Sequence, residues 1–339
     1  MAPPSRTIPI SSTDLSQTGN ARRQALSLAA DFGFDELRQG QLGIIVTEAA
    51  RNIATHGGDG EIILTGWTFN ESSGIDVLAL DKGEGIANVS AALQDGYSTA
   101  GTPGNGLGAI SRLSGTFQIY TVPGNGTAVF ARVTRTAEDV ETEVNAYPIG
   151  AISVPIAGES VCGDAWSVEF TPGRSLYIVA DGLGHGIMAA EAAFEAVRIF
   201  HQVSSYAPDR ILTEIHQALG KTRGAAVSVA EILHEQRTVN YAGAGNIVAA
   251  VWAEGRSRSL VSMNGTVGHS VGRIQQFSYP WTPESLLIMH SDGLATRWAV
   301  EQYPGLASRH PGLLAGVLFR DFSRRRDDAT ILVSRSEYD

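Results

Sequence analysis

Two sets of side chains in this 339-residue chain have the types and spacing that phosphoryl chemistry needs. In the first, Glu48, Asn52 and His56 recur every four residues, beside apolar positions Leu42, Ile45, Val46, Ala49 and Ile53 that repeat at helical spacing. The three polar groups therefore border the buried face of one predicted helix, Gln41 to His56. A glutamate so placed can orient or deprotonate a hydroxyl, and an asparagine amide oxygen one turn on can ligate magnesium beside a nucleotide. Taken alone, the row reads better as a solvated helix flank. Two glycine clusters follow it. Asp81-Lys82-Gly83-Glu84-Gly85-Ile86 ends a predicted strand, and Gly104-Asn105-Gly106-Leu107-Gly108 opens a predicted helix. Glycines let backbone amides approach phosphate at a helix start, and Asp81 can accept a hydrogen bond from an adenine amino group. Either cluster by itself is also ordinary turn chemistry.

The second set is acidic. Asp164, Asp181, Asp292 and Asp327 each sit at the edge of an apolar predicted strand. Asp-Gly pairs are common turns, and any one of these aspartates reads as structural. The recurrence at strand ends is harder to dismiss. Carboxylates without accompanying Cys or paired His favour a hard, oxygen-coordinated ion, magnesium or manganese, over zinc. Two such ions roughly 4 Å apart can share a water, lower its pKa and clamp a phosphoryl oxygen.

The elements that must position these groups are legible from periodicity. Helices are expected at about Asn20 to Asp31, Leu37 to Thr55 and Leu107 to Leu113, with strands at Glu61 to Phe69, Ile75 to Asp81, Phe117 to Val122 and Thr127 to Thr134. An acidic stretch without apolar periodicity, containing Glu138, Asp139, Glu141 and Glu143, reads as a linker at 136–146. Strands then follow at Ala151 to Val154, Val168 to Phe170 and Leu176 to Ala180. Helices are expected at Ile187 to His201 and, with Pro208 at its start, Asp209 to Leu219. Four or more strands complete the chain, the last at Thr330 to Val333. The expected fold class is a two-domain α/β protein, with domains at 8–135 and 147–337, and no internal repeat relates the halves.

Composition narrows the function classes. A net charge of −10 argues against a nucleic-acid partner, and the one basic run, Arg324-Arg325-Arg326, abuts Asp327-Asp328. No apolar run approaches the roughly 18 residues of a membrane span, and no apolar signal region follows Met-Ala-Pro-Pro-Ser-Arg. The single cysteine, Cys162, excludes an internal disulfide and suits a reducing compartment. The expectation is a cytoplasmic protein without nucleic-acid or membrane partners.

Order and spacing add a resemblance in each half. Glu-x-x-Arg-Asn-x-x-x-His from Glu48, Asp-x-Gly-x-Gly-Ile from Asp81 and Gly-x-Gly-Leu-Gly from Gly104 resemble the Bergerat-fold ATPases of the gyrase, histidine kinase and MutL superfamily. More closely, they are similar to the small serine/threonine kinases of the anti-sigma-factor and RsbT type, which phosphorylate STAS-domain proteins. The resemblance implies Glu48 as catalytic base, Asn52 as magnesium ligand and Asp81 as adenine anchor. It places Gly83, Gly85, Gly104, Gly106 and Gly108 around ATP, with a lid at Ala92 to Pro103. Arg51 points away from the apolar stripe, which suggests a surface role.

Ser160-Val-Cys-Gly-Asp164, Asp181-Gly-Leu-Gly-His-Gly186, Tyr241-Ala-Gly-Ala-Gly-Asn246, His290-Ser-Asp-Gly-Leu294 and Arg326-Asp-Asp-Ala-Thr330 resemble the protein phosphatase 2C class, in its SpoIIE and RsbX branch. That resemblance implies an α-β-β-α sandwich and two manganese or magnesium ions. Asp181 would bridge both ions and Gly182 contribute its carbonyl. Asp164 would support one ion, while Asp292 and Asp327 hold the other. Asp328 would act from behind the ligands, and His185 would be either a proton donor or a site-shaping group. No basic residue in the first motif stands ready to receive phosphate. Together the two halves imply a switch that phosphorylates and dephosphorylates STAS proteins of the anti-sigma antagonist or stressosome type, with a sigma factor or downstream regulator as a further partner. The alternative is a phosphatase whose first domain only senses ATP or binds an anti-sigma partner.

Overall fold

A computed structural model describes residues 6–12, 14–69, 72–94, 106–136 and 149–335. The chain divides into two units, Met1–Tyr147 with Ser308–Arg320, and Pro148–Ala307 with Asp321–Asp339. Gly104, most of the expected lid and most of the expected linker lie outside the described residues.

In the first unit, strands β1 (Arg6–Ser11), β2 (Gly60–Phe69), β3 (Ser72–Asp81), β4 (Thr116–Thr121) and β5 (Thr127–Thr134) form one antiparallel sheet in the order β1-β2-β3-β5-β4. Alternation divides its side chains between two faces. Ile62 and Leu64 of β2 and Ile75, Val77 and Ala79 of β3 join one core with Leu28 of α1 (Thr18–Asp31) and with Leu42, Ile45, Val46 and Ile53 along α2 (Glu36–Asn52) and just beyond it. Ile110 of α4 (Gly106–Leu113) completes that layer, and a single short turn, α3 (Val89–Ala92), precedes it. Asp35 caps α2 by accepting the Arg38 amide at 2.7 Å. This start fixes the helix so that the Leu42, Ile45, Val46 and Ala49 stripe is buried.

The opposite face is buried too. Arg132 is only 2% exposed and grips both oxygens of Asp76, at 2.7 and 2.8 Å, while the Trp67 indole donates to the same carboxylate. Both charges of this pair thus have the hydrogen bonds that burial demands. Residues of α7 (Pro311–Phe322) pack against this face, with Gly312 beside Phe130 and Gly316 beside Leu78 and Leu80. The stretch Pro311 to Arg320 is buried throughout. The expected boundaries differ from the observed units here, since 308–320 groups with the first unit rather than with 147–337. Neither β1 nor α7 was among the expected elements.

The second unit stacks two five-stranded antiparallel sheets. The strands that matter for chemistry are β7 (Asp164–Thr171), β8 (Arg174–Gly182), β9 (Ala225–Leu233), β16 (Leu286–His290) and β17 (Ala329–Arg335). With β6 (Ile149–Val154), β10 (Thr238–Ala244), β11 (Val248–Ala253), β12 (Arg256–Ser259), the short pair β13 (Gly265–Thr266) and β14 (Ser270–Val271), and β15 (Phe277–Pro280) numbered in chain order, one sheet has the order β15-β10-β9-β8-β7 and the other β12-β11-β16-β17-β6. Leu176, Ile178 and Ala180 of β8 face α5 (Ile187–Gln202) and α6 (Pro208–Ala218), packing with Ala193, Phe200, Ile211 and Ile215. By the two-residue period, Tyr177, Val179 and Asp181 point the other way. The Tyr177 hydroxyl meets Ser334 Oγ of β17 at 2.8 Å, so that face looks into the space between the sheets. The expected two-domain α/β class is the class observed. Among the described residues, no helix is long and apolar enough to cross a membrane.

Candidate functional site

In the first unit, α2 ends at Asn52 and the chain continues as one π-helical turn, Ile53–Gly57. Glu48 and Asn52 keep their one-turn spacing, whereas His56 lies on the wider turn and departs from the expected regular row. A π turn commonly marks a functional site, because it redirects the side chains that follow. Here it brings Gly57 against Asp81, where an added Cβ would stand 2.7 Å from the Asp81 Cβ.

Asp81 closes β3 with one oxygen committed and one available. Its Oδ1 accepts the backbone amides of Gly83 at 2.9 Å and Thr127 at 3.1 Å, which fixes the carboxylate plane. Among the described residues its second oxygen has no hydrogen-bond partner, and it can accept from a donor such as an exocyclic amine. Gly83 rests against the His56 carbonyl and Gly85 against that of Val122, so neither position has room for a side chain. Gly106 opens α4 where a Cβ would lie 3.1 Å from both Glu48 Oε2 and Asn52 Oδ1. The structure thus brings Glu48, Asn52 and the start of α4 to one place. Gly108 is buried in α4. Arg51 is exposed, as expected, and its guanidinium also lies 3.1 Å from Glu48 Oε1, a pairing that helical arithmetic did not suggest.

In the second unit, the antiparallel register sets Asp164 of β7 directly across from Asp181 of β8. Asp292 lies two residues beyond β16, and Asp327 two residues before β17. Because β16 and β17 are antiparallel neighbours, those two also meet at one end. Burial first, then the charges of Asp164, Asp292 and Asp327, push the Asp181 carboxyl well above the usual carboxylate range. Burial pushes Asp164 up as well, opposed by the hydroxyl of Ser291, which donates to Asp164 Oδ2 at 2.6 Å. Asn246 donates to Asp292 Oδ2 at 2.7 Å. His185, on the exposed loop after Asp181, lies 2.8 Å from Glu159. Gly182 has no space for a side chain, since one would meet the Ala189 carbonyl. Burial also pushes the Cys162 thiol up, so Cys162 is a poor nucleophile here.

Known proteins match both parts of the chain. Residues 11–133 match the family described as histidine kinase-like ATPase domain, and residues 171–337 match stage II sporulation protein E (SpoIIE). The serine/threonine-protein kinase RsbT of Bacillus subtilis (strain 168) is 32% identical over 111 residues, which cover 33% of this chain and 84% of that protein. The chain belongs to the RsbT-like ATPase family and carries a SpoIIE-type phosphatase domain. The phosphoserine phosphatase RsbX of the same organism is 28% identical over 138 residues, 40% of this chain and 69% of that protein. The solved PP2C phosphatase domain of SpoIIE from Bacillus subtilis, with a fragment of its regulatory domain, shares the fold with a TM-score of 0.50 at 17% identity, covering 96% of this chain and 94% of that one. A SpoIIE-type domain is a metal-dependent serine/threonine phosphatase.

The carboxylates of the SpoIIE-type domain suit divalent cations. The charges of Asp164, Asp292 and Asp327 that act on Asp181 are all negative. A hard dication placed among Asp164, Asp181, Asp292 and Asp327 would offset that repulsion through oxygen ligands alone. Among the described residues, no three His, Cys, Asp or Glu side chains close a metal cage by themselves. Bound ions would therefore complete their shells with the Gly182 carbonyl and water, as magnesium and manganese commonly do.

Two residues support this site from behind: Asp328, which the sequence already set behind the ligands, and Ser291, which sequence reasoning overlooked. Ser291 links it to β17, with its Oγ accepting the Thr330 amide at 2.9 Å while donating to Asp164. Asp328, buried to 2% exposure, accepts the amides of Ile156 at 2.7 Å and Gly163 at 2.8 Å. Asp328 therefore holds the turn from which Asp164 projects. Replacing it by alanine would orphan two amides and loosen Asp164. The Asp328→Ala variant should need about ten- to a hundredfold more manganese for half-maximal phosphate release, the usual effect of losing a group that orients a metal ligand. A manganese titration of initial rate measures this, and an unchanged midpoint would remove Asp328 from the metal-site scaffold.

Proposed function

We propose that this protein is a bifunctional switch: its first unit transfers phosphate from ATP to a serine or threonine of a STAS-domain protein, and its second unit removes it. The observation that carries the kinase half is at Gly106, where Glu48 and Asn52 converge on the start of α4. A module that only binds ATP has no use for a base at that point. In the proposed reaction the open oxygen of Asp81 accepts the adenine amino group. Backbone amides around Gly83, Gly85, Gly106 and Gly108 face the phosphates. The Asn52 amide oxygen holds magnesium, and Glu48 takes the proton from the attacking hydroxyl.

In the phosphatase half, Asp181 with the Gly182 carbonyl, Asp164, and Asp292 with Asp327 would hold two ions, Asp181 serving as the ligand common to both. Two manganese or magnesium ions held there supply an activated water and a clamp for the phosphoryl oxygens. Asn246 keeps the Asp292 carboxylate oriented through its hydrogen bond. His185 is placed, with Glu159 behind it, to carry a proton at the rim.

STAS-domain proteins of the anti-sigma antagonist or stressosome type are the proposed substrates, because both halves resemble enzymes that act in that circuit. The test is incubation of the whole protein with labelled ATP and the STAS proteins of its own genome, with and without manganese. Label should accumulate on one STAS protein when the phosphatase is inactive and disappear when manganese is added to the unaltered enzyme. Firm ATP and STAS binding without any transfer of label would instead make the first unit a binding module.

A further inference from the structure

The loop that leaves Asp181 carries more apolar surface than a solvent-facing loop requires. Leu183, within the phosphatase motif, and Ile187 and Met188, which open α5 directly after it, are 57, 66 and 53% exposed. Ile187 and Met188 line an open depression of about 420 Å³ with Glu159, Gly184, His185 and Arg223, and Leu183 precedes Gly184 on the same segment. Apolar side chains clustered and exposed beside a polar rim mark a place where another molecule is seated.

Arg223 gives that seat its chemistry. It stands just before β9, and the Leu183 amide donates to the carbonyl of its neighbour Gly224 at 3.0 Å, which pins the Arg223 segment to the loop leaving Asp181. The exposed guanidinium reaches over Gly184, whose Cβ position lies 3.2 Å from Arg223 Nη1, and contacts the Met188 sulfur at 3.4 Å. Glu159, the one carboxylate lining the depression, is engaged with His185 at 2.8 Å. Arg223 has no carboxylate partner among the described residues. Its contacts run to Gly184 and Met188, and among the described residues it makes no hydrogen bond or ion pair to Asp164, Asp181, Asp292 or Asp327. An anion held by Arg223 is therefore a second group on a substrate whose phosphoryl group lies among the aspartates.

We infer that Arg223, with Leu183, Ile187 and Met188, forms a docking subsite for the phosphoprotein substrate, taking an acidic side chain near the phosphorylated residue on the guanidinium and its apolar neighbours on the loop. This rests on the phosphatase reading and names the substrate chemistry of that site. Charge complementarity argues for an acidic occupant: a guanidinium offers a planar fork matched to a carboxylate, and none among the described residues takes it.

The test uses the whole protein and three phosphoserine peptides of equal length with leucines beside the phosphoserine, flanked on both sides by Glu, by Gln or by Lys. The unaltered enzyme with manganese should show kcat/KM about three- to tenfold higher for the Glu peptide than for the Gln peptide, the range expected of a solvent-facing but well-oriented ion pair. Arg223→Ala should erase that ratio, and Arg223→Glu should invert it in favour of the Lys peptide. Fluorescence anisotropy of the same peptides on the Asp181→Ala protein should give the same ranking without turnover. Ile187→Gln should weaken all three peptides alike. An enzyme that hydrolyses p-nitrophenyl phosphate but does not prefer the Glu peptide, or an Arg223→Ala variant that keeps the preference, overturns the subsite. Absence of any manganese-dependent hydrolysis, p-nitrophenyl phosphate included, would instead strike the phosphatase reading beneath it.

Discussion

Asp181→Ala is expected to reduce manganese-dependent release of phosphate from phosphoserine or phosphothreonine protein by at least about a hundredfold. Loss of a group that merely orients a metal ligand costs about ten- to a hundredfold, and Asp181 is the residue proposed to touch both ions. The β7 and β8 register puts it opposite Asp164, so no other carboxylate can take its place without a shift of the strand. The same substitution should not weaken the metal-free protein. Asp181 stands among Asp164, Asp292 and Asp327, whose charges add to burial in disfavouring its ionised form, so removing it relieves repulsion. The metal-free Tm should stay level or rise, while the increase in Tm that manganese gives the unaltered protein should be lost, because that increase is binding free energy. Phosphate release and paired thermal scans with and without manganese measure both halves of this result. Undiminished metal-dependent turnover in the variant would refute the ligand assignment.

Which parts of this were legible in the sequence follows from where each contact is made. Helix α5 was read as Ile187 to His201 and forms as Ile187–Gln202, because its one-sided apolar pattern is written at a 3.6-residue period. Helix α6 was announced by Pro208 at its first position. Helix α7 was invisible for the opposite reason. From Pro311 to Arg320 every residue is buried, so the segment has no polar face to reveal a period, and its two glycines, Gly312 and Gly316, read as breaks rather than as places for close approach. The Asp76 and Arg132 pair joins residues 56 apart, and the Ser291 support of Asp164 spans 127. Local spacing carries no trace of either. The aspartates were found because each lies at the end of an apolar run, whereas Arg223 belongs to no motif and is defined only by the loop it overhangs. The π turn after Asn52 is likewise a tertiary outcome: Gly57 tucks against Asp81, and the helix widens to let it.

Glu48→Ala should leave ATP binding intact and slow phosphoryl transfer to the STAS substrate by about 10²- to 10⁴-fold, the contribution expected of a positioned general base. Asn52→Ala should act one step earlier, weakening magnesium-dependent ATP binding itself, because its amide oxygen is the proposed ligand of the ion. The two side chains flank the same point at the start of α4, so the different outcomes separate base from ligand rather than one region from another. Glu48 also pairs with exposed Arg51 at 3.1 Å. Arg51→Ala is therefore a control for position without loss of the base, and its effect should be several-fold at most, as expected for a solvent-facing ion pair. Each variant has to be made on the Asp181→Ala background, or the product is erased as it forms. Transfer of label from ATP and equilibrium binding of magnesium-ATP, measured side by side, distinguish the variants. If the Asp181→Ala protein itself binds ATP and a STAS partner yet transfers no label, the first unit acts by binding alone; if label is transferred but Glu48→Ala loses well under tenfold in rate, Glu48 is not the base.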